Sequence, residues 1–299
     1  MKKTFLILML TGVFNLHSQS ITTTVNNGNL ILEDIPTIPQ TIKDDLKRYQ
    51  NVRSGSFRSF TDTGDSIYIS TRFGNVSQLH VVDQPGGARK QITFFDEPVG
   101  SMSRQPDGTL IAFTMDVGGS EHAQILLLNP ENGSSTMLSD GNSRHGSPLW
   151  DKTGEHIAFM SNRRNGASND VWTMPIDNPN QAEMVLESPD GTWWGPIDWS
   201  NDGKHLLIQN YISITNSKVY LVDLETKDKT LILGNLAEPS VNSGLAFDAT
   251  NTGVFFTTDT FAEFNQLAHK NLVTGEVTII SQDINWDVDG FAISSDGLS

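Results

Sequence analysis

Three stretches of the sequence place reactive or ligating residue types at suggestive spacings. In Gly141-Asn142-Ser143-Arg144-His145-Gly146 a serine stands between glycines with a histidine two places on. A serine hydrolase of the α/β type needs Gly-x-Ser-x-Gly on a strained strand-to-helix turn that exposes the hydroxyl. Here the second glycine comes one place too late and the window falls between β-rich runs, so it reads as a loop. Asn285-Trp286-Asp287-Val288-Asp289-Gly290 resembles the start of a calcium loop, with Asp296 at the twelfth place. The bidentate glutamate usual there is missing and no helices flank it, so the segment reads as the opening of another repeat. A third set, Arg72, Asp116, Glu121, Arg163 and Arg164, lies in polar connections of the kind that carry binding groups on a rigid scaffold. Arg163 follows Phe159-Met160-Ser161 much as Arg72 follows Ile69-Ser70-Thr71, which gives these arginines a structural part in the repeat. No His-Glu-x-x-His zinc motif occurs, and the 7 histidines are scattered. No catalytic, cofactor-binding or metal-binding residue is assigned, and no cofactor is expected.

The elements that position these stretches recur. Glycines at 64, 108, 154, 203, 253 and 297 sit in polar turns, mostly ahead of an apolar β-rich run, and lie 44 to 50 residues apart. That is a blade period of a β-propeller. The third copy shows the internal order: Ser147-Pro148-Leu149-Trp150, the turn Lys152-Thr153-Gly154, Ile157-Ala158-Phe159-Met160-Ser161, then Asp170-Val171-Trp172-Thr173-Met174 and Met184-Val185-Leu186. The fourth repeats it with Pro196-Ile197-Asp198-Trp199-Ser200, Asn201-Asp202-Gly203, Leu206-Leu207-Ile208 and Val219-Tyr220-Leu221-Val222-Asp223. Asp-Gly supplies the positive φ of a tight hairpin. A second glycine precedes the turn glycine by eight places at Gly100, Gly146 and Gly195.

The fold class is therefore all-β, a propeller of four-stranded blades with five full copies and the start of a sixth that stops inside the blade. Trp150, Phe159, Trp172, Trp199, Phe247 and Phe255 are expected in the core, since one blade cannot bury both faces alone. The expected organisation is a signal peptide over 1–20, a lead-in over 21–56 with a short helix at Thr41 to Gln50, and an incomplete propeller over 57–299.

Composition supports a folded, exported chain. Hydrophobic residues make up 37% and charged residues 18% of the 299, an ordinary globular balance. Lys2 and Lys3 precede an apolar stretch from Phe5 to Leu16, and Ser18 and Ser20 offer the small residues a signal peptidase accepts. The apolar stretch is too short to span a bilayer. Cleavage near Ser20 is expected, with a periplasmic or secreted product that has no membrane partner. Twenty basic against 35 acidic residues, with a net charge of −15, disfavour nucleic acid and anionic lipid. Cysteine is absent, so stability must come from packing.

The string Pro148-Leu149-Trp150, Gly154, Ile157-Ala158-Phe159-Met160-Ser161-Asn162-Arg163 and Asp170-Val171-Trp172 resembles the repeat shared by TolB-type propellers and the N-terminal domains of prolyl oligopeptidase family serine peptidases. Leu46 to Ser54, Ser70-Thr71-Arg72-Phe73-Gly74, Pro85 to Arg89, Gln91 to Phe95 and Asp116 to Glu121 are similar to secreted bacterial peptidases of that family. A TolB-type protein is expected to place an α/β domain ahead of its propeller, whereas the first blade here begins at Phe57, soon after Ser20. The resemblance implies a two-part enzyme whose propeller gates access for short peptides to a C-terminal α/β-hydrolase domain lying outside this sequence. That domain and the peptides are the expected partners, and a chain without the serine, histidine and aspartate would be inactive alone. A TolB-like binding or scaffold propeller without enzymatic activity is the alternative.

Overall fold

The computed structural model describes residues 21–293. The expected signal peptide, the turn at Gly297 and Asp296 lie outside the described residues. The chain divides into a short unit ending at Val52 and a large one beginning at Arg53.

In the short unit, β1 (Thr22–Val25) pairs antiparallel with β2 (Leu30–Glu33). Asn26 and Asn27 turn the chain with φ of 53°, a conformation asparagine tolerates better than most residues. Helix α1 covers Gln40–Gln50, one residue more than the sequence predicts. Pro39 precedes it, and its carbonyl accepts from the amides of Ile42 and Lys43 at 3.1 and 3.2 Å. The β1–β2 hairpin is not anticipated from the sequence, because its alternation is too brief to stand out.

The large unit is a run of five four-stranded antiparallel sheets, each meandering in chain order. Blade 1 comprises β3 (Gly55–Phe60), β4 (Ile67–Thr71), β5 (Gln78–Val82) and β6 (Lys90–Gln91). Blade 2 comprises β7 (Met102–Arg104), β8 (Ile111–Met115), β9 (Gln124–Leu128) and β10 (Ser135–Met137). Blade 3 comprises β11 (His145–Trp150), β12 (His156–Ser161), β13 (Asp170–Pro175) and β14 (Glu183–Leu186). Blade 4 comprises β15 (Trp193–Trp199), β16 (His205–Ser213), β17 (Asn216–Asp223) and β18 (Lys229–Leu233). Blade 5 comprises β19 (Asn242–Phe247), β20 (Gly253–Thr258), β21 (Gln266–Asn271) and β22 (Val277–Ile279). The expected β-propeller class and its five copies are thus present. The opening of the sixth copy contributes no strand among the described residues, from which residues 284–293 run irregularly.

The first hairpin of every blade is closed alike. The amides of Thr61, Gln105, Asp151, Ser200 and Asp248 donate to the carbonyls five residues on, at 2.8 to 3.0 Å. The side chain at that first position then accepts from amides inside the turn. Asp151 Oδ1 takes Glu155 and His156, and Ser200 Oγ takes Lys204 and His205. Asp248 Oδ1 takes Thr252, Gln105 Oε1 takes Leu110, and Thr61 Oγ1 takes Ser66. These turns need one residue at positive φ, supplied by Gly64, Gly154 and Gly203 as read from the sequence. In blade 2 it is Asp107 rather than Gly108, and in blade 5 Asn251 rather than Gly253. Gly253 instead opens β20, where a Cβ would stand 2.2 Å from the His269 ring and 2.5 Å from Asp248 Oδ2. The glycine there makes room for that pair.

Burial follows the joints between neighbouring blades. Leu79, Ile111 and Phe113 belong to a cluster joining blades 1 and 2; Ile125, Trp150 and Phe159 to one joining blades 2 and 3. Val171, Trp199 and Leu206 join blades 3 and 4, and Leu207, Phe247 and Phe256 join blades 4 and 5. Trp150 Nε1 donates to the Ser103 carbonyl at 3.0 Å and Trp199 Nε1 to that of Leu149 at 3.2 Å, each reaching into the preceding blade. Two expected core aromatics are only half-buried. The Trp172 ring lies under the Arg163 guanidinium, 4.9 Å away, and Phe255 points away from the blade 4 joint to stack on His269 and Phe291.

Trp199→Ala should therefore cost about 3–5 kcal/mol, by loss of the ring from a joint that cannot collapse around it. Trp199→Phe should cost roughly 1–2 kcal/mol, chiefly for the unpaired Leu149 carbonyl. Urea midpoints of the two variants test this, and equal losses would mean that the indole N–H contributes nothing.

Candidate functional site

A four-stranded meander puts the first and third turns of each blade at one end. The connection between the second and third strands, and the link to the next blade, fall at the other. Arg72, Asp116, Glu121, Arg163 and Arg164 all lie in second-to-third connections of blades 1 to 3, so the structure gathers them at one end, the loop end. Most are occupied with the scaffold. Arg164 makes a two-pronged ion pair with Asp170, whose side chain is fully buried, at 2.7 and 2.9 Å, and another with Glu187 at 3.0 Å. Arg163 caps Trp172 and lies 3.9 Å from Asp140. Asp116 accepts from the Glu121 amide at 3.0 Å, holding Glu121 at φ 61°.

The Ser143 window has an order that rules out nucleophilic attack. Ser143 Oγ donates to Asp140 Oδ2 at 2.8 Å, and His145 Nε2 lies 3.1 Å from Asp140 Oδ1. The aspartate is therefore the hub, and the serine has no histidine to take its proton. The His145 side chain is fully buried, and its Nδ1 has no partner. Burial alone would raise the Asp140 pKa, but the amides of Ser143 and Asn142, His145 and the Ser143 hydroxyl outweigh it and hold the carboxyl well below its usual range. Burial lowers the His145 pKa, against the pull of Asp140. This is a loop clamp, and it keeps an imidazole neutral.

The residue opening the third strand does related work in three blades, which the sequence reading missed. Gln78 Nε2 donates to the Phe95 and Glu97 carbonyls, and its Oε1 accepts from the Phe95 amide. Gln124 bonds Ser143 O, Ser139 Oγ and the Gly141 amide, while Asp170 accepts from the Ser188 amide. Each ties the link to the next blade back to its own sheet. A polar residue at the head of an apolar strand was the available signal. The Asn285–Gly290 segment is also pinned structurally: Asp287 Oδ1 accepts from the Asn265 amide at 2.8 Å, and Val288 N donates to Asn265 O at 2.9 Å.

Two cavities lie where blades 4 and 5 meet at this end. An outer cavity of about 380 Å³ is lined by Gly234, Glu238, Asp259, Phe261 and Lys270 among others. Asp259 is engaged by the Val241 amide at 2.7 Å and Lys270 by the Ile232 carbonyl at 2.7 Å. An inner cavity of about 250 Å³ lies against Trp193, Gln209, Tyr211, Ile214 and Ser243.

The family profile described as prolyl oligopeptidase, N-terminal beta-propeller domain, matches residues 40–274. The chain belongs to that family. Among solved structures, this prolyl oligopeptidase propeller is similar to one from a study of two prolyl endopeptidases, with a TM-score of 0.63 at 13% identity over 90% of this chain. It spans only 46% of that endopeptidase chain. TolB from Acinetobacter baumannii aligns over 86% of this chain and 64% of its own, with a TM-score of 0.51 at 14% identity. A TolB-type protein from Agrobacterium tumefaciens gives 0.54 at 15% identity, over 75% of this chain and 80% of its own. No curated protein matches the sequence. No helix among the described residues is long and apolar enough to cross a membrane.

Within the propeller family frame the Asp140 clamp is a stability element with a pH signature. His145 is held neutral in the fold but protonates in the unfolded chain below its ordinary value near 6.5, so acid favours unfolding there. Asp140, held ionised in the fold, adds a second loss below about 4. His145→Gln keeps a donor and cannot titrate, so it should shrink the fall in urea midpoint between pH 7.5 and 5.5 and leave the fall towards pH 3.5. His80, also lowered by burial, should contribute to the decline that remains. An unchanged profile would remove His145 from the account.

Proposed function

We propose that this propeller is the substrate-gating domain of an exported serine peptidase acting on short peptides, with the catalytic serine, histidine and aspartate in an α/β-hydrolase domain outside this sequence. The observation that carries the reading is the contrast between the two ends. Phe94, Ile214, Leu236 and Trp286 at the loop end are each 75% or more exposed, whereas among the five first and five third turns only Val273 is a largely exposed, large apolar residue. Exposed apolar side chains in that number mark a surface that meets another protein surface.

Topology favours the same end. The first strand of blade 1 starts there and the fourth strand of blade 5 finishes there, so the chain enters the first blade and leaves the fifth at one end. A hydrolase domain joined there would rest on the loop end with short linkers. Its active site would then face the inner strands, and passage between blades or along their axis would set the size of substrate admitted. The apolar stretch from Phe5 to Leu16 behind Lys2 and Lys3, followed by Ser18 and Ser20, supports export.

The complete gene product, treated with a fluorophosphonate probe, should label on a serine beyond Ser299 and cleave short chromogenic peptides while sparing a folded protein. This chain alone should not label. A product that leaves the probe unreacted would overturn the peptidase reading and favour a TolB-like binding propeller.

A further inference from the structure

Blade 4 departs from its neighbours at the loop end. In blades 1, 2, 3 and 5 the second and third strands separate at Thr71/Gln78, Met115/Gln124, Ser161/Asp170 and Thr258/Gln266. In blade 4 the equivalent pair, Asn210/Lys218, is followed by Tyr211/Ser217 and Ser213/Asn216, so β16 and β17 project as a hairpin with Ile214 at its tip. Trp193 is the cross-strand partner of Tyr211. Its ring is laid over Gly195, where a Cβ would come within 2.4 Å of it. The recurring glycine therefore has a local purpose here, which is to hold an indole flat at the floor of the hairpin.

The inner cavity lies under this projection. Its lining carries no ionisable charge, in a chain of net charge −15. The Gln209 and Ser217 side chains beneath it are already paired. Gln209 Nε2 donates to the Lys218 and Asn242 carbonyls and Oε1 accepts from the Gly244 amide; Ser217 Oγ both donates to and accepts from the Asn242 backbone. An apolar occupant would strand none of these groups, and a charged one would find no counter-charge. The volume, about 250 Å³, corresponds to roughly eight waters, enough for a phenylalanine or leucine side chain. Tyr211 and Ile214, 48% and 83% exposed, form the rim and would close over it.

We infer that this cavity binds one uncharged apolar side chain, aromatic or branched, of a short peptide, with Trp193 and Tyr211 as its walls and the β16–β17 hairpin as its cover. The peptide character of the ligand rests on the peptidase reading, whereas the apolar selectivity rests on the lining. It follows that blade 4 sets a preference for an apolar residue.

The test is titration of the 299-residue chain, labelled with 5-fluorotryptophan, with blocked Gly-Phe-Gly and Gly-Glu-Gly peptides, the Trp193 fluorine signal being assigned by Trp193→Phe. Gly-Phe-Gly should shift that signal saturably and Gly-Glu-Gly should not. Tyr211→Ala, at an exposed site where folding is spared, should weaken binding at least about tenfold by removing the wall. Tyr211→Asp should abolish binding while leaving the thermal midpoint unchanged. Equal responses to the two peptides, no shift at Trp193, or unchanged affinity in Tyr211→Ala would overturn the assignment. Binding at Trp193 in a gene product that the fluorophosphonate never labels would keep the apolar site and discard the peptidase, so the two readings fail separately.

Discussion

Every blade is a small twisted sheet with two apolar faces and no layer of its own to cover either, so burial against the next blade is the constraint on which the structure depends. The buried clusters obey it: each is assembled from two consecutive blades, and among the described residues none joins blade 1 to blade 5. Leu207 and Leu206 show how closely the strands are committed. Adjacent in β16, they serve opposite joints, one with blade 5 and one with blade 3. A register slip of one residue in such a strand would exchange its two joints, which is why hairpin geometry has to be fixed as firmly as packing.

That fixing is done at the turn end by a device that tolerates changes of residue type. Threonine, glutamine, aspartate, serine and aspartate occupy the same first position in blades 1 to 5, and each uses a side-chain oxygen to take up amides the turn would leave free. The residue at positive φ varies similarly between glycine, aspartate and asparagine. What is kept is an acceptor of suitable reach and a backbone that can adopt the left-handed region, each achievable with more than one side chain. Register is thereby set locally, and the joints can be filled by whichever apolar residues fit.

Four blade turns and the strand order were legible from the sequence because turn glycines and β-rich runs recur at one period. Gly253 misled because it mimics a turn glycine two residues past the true positive-φ residue, Asn251; its lack of a side chain serves the His269–Asp248 pair instead. Phe255 misled because an aromatic in an apolar run carries no sign of which face it occupies, and the face away from blade 4 is the one it takes. The site was less legible still. Gln78 and Gln124 share their function with Asp170, a residue of another type, and the cavity under the blade 4 hairpin arises from an extension of pairing through Tyr211-Ile212-Ser213, a stretch whose composition resembles any other strand. Position in the blade, which only the pairing register reveals, is what relates them.

The two ends therefore have unequal freedom. At the turn end, side-chain caps and closing hydrogen bonds consume the polar groups within a few residues, and little is left to meet a partner. At the loop end the same accounting is done by clamps that reach back from the sheet, such as Gln124 to Gly141 and Asp170 to Ser188, which hold a connection against its own blade. A connection held against its own blade can change length and exposed residues without disturbing a joint between blades. Blade 4 uses that freedom by continuing its strands, blade 3 by folding Arg164 back onto Asp170, and blade 5 by leaving Phe261 in solvent. Since packing between blades provides the stability and the clamps protect it, the loop end is where this scaffold can acquire selectivity at least cost to its fold.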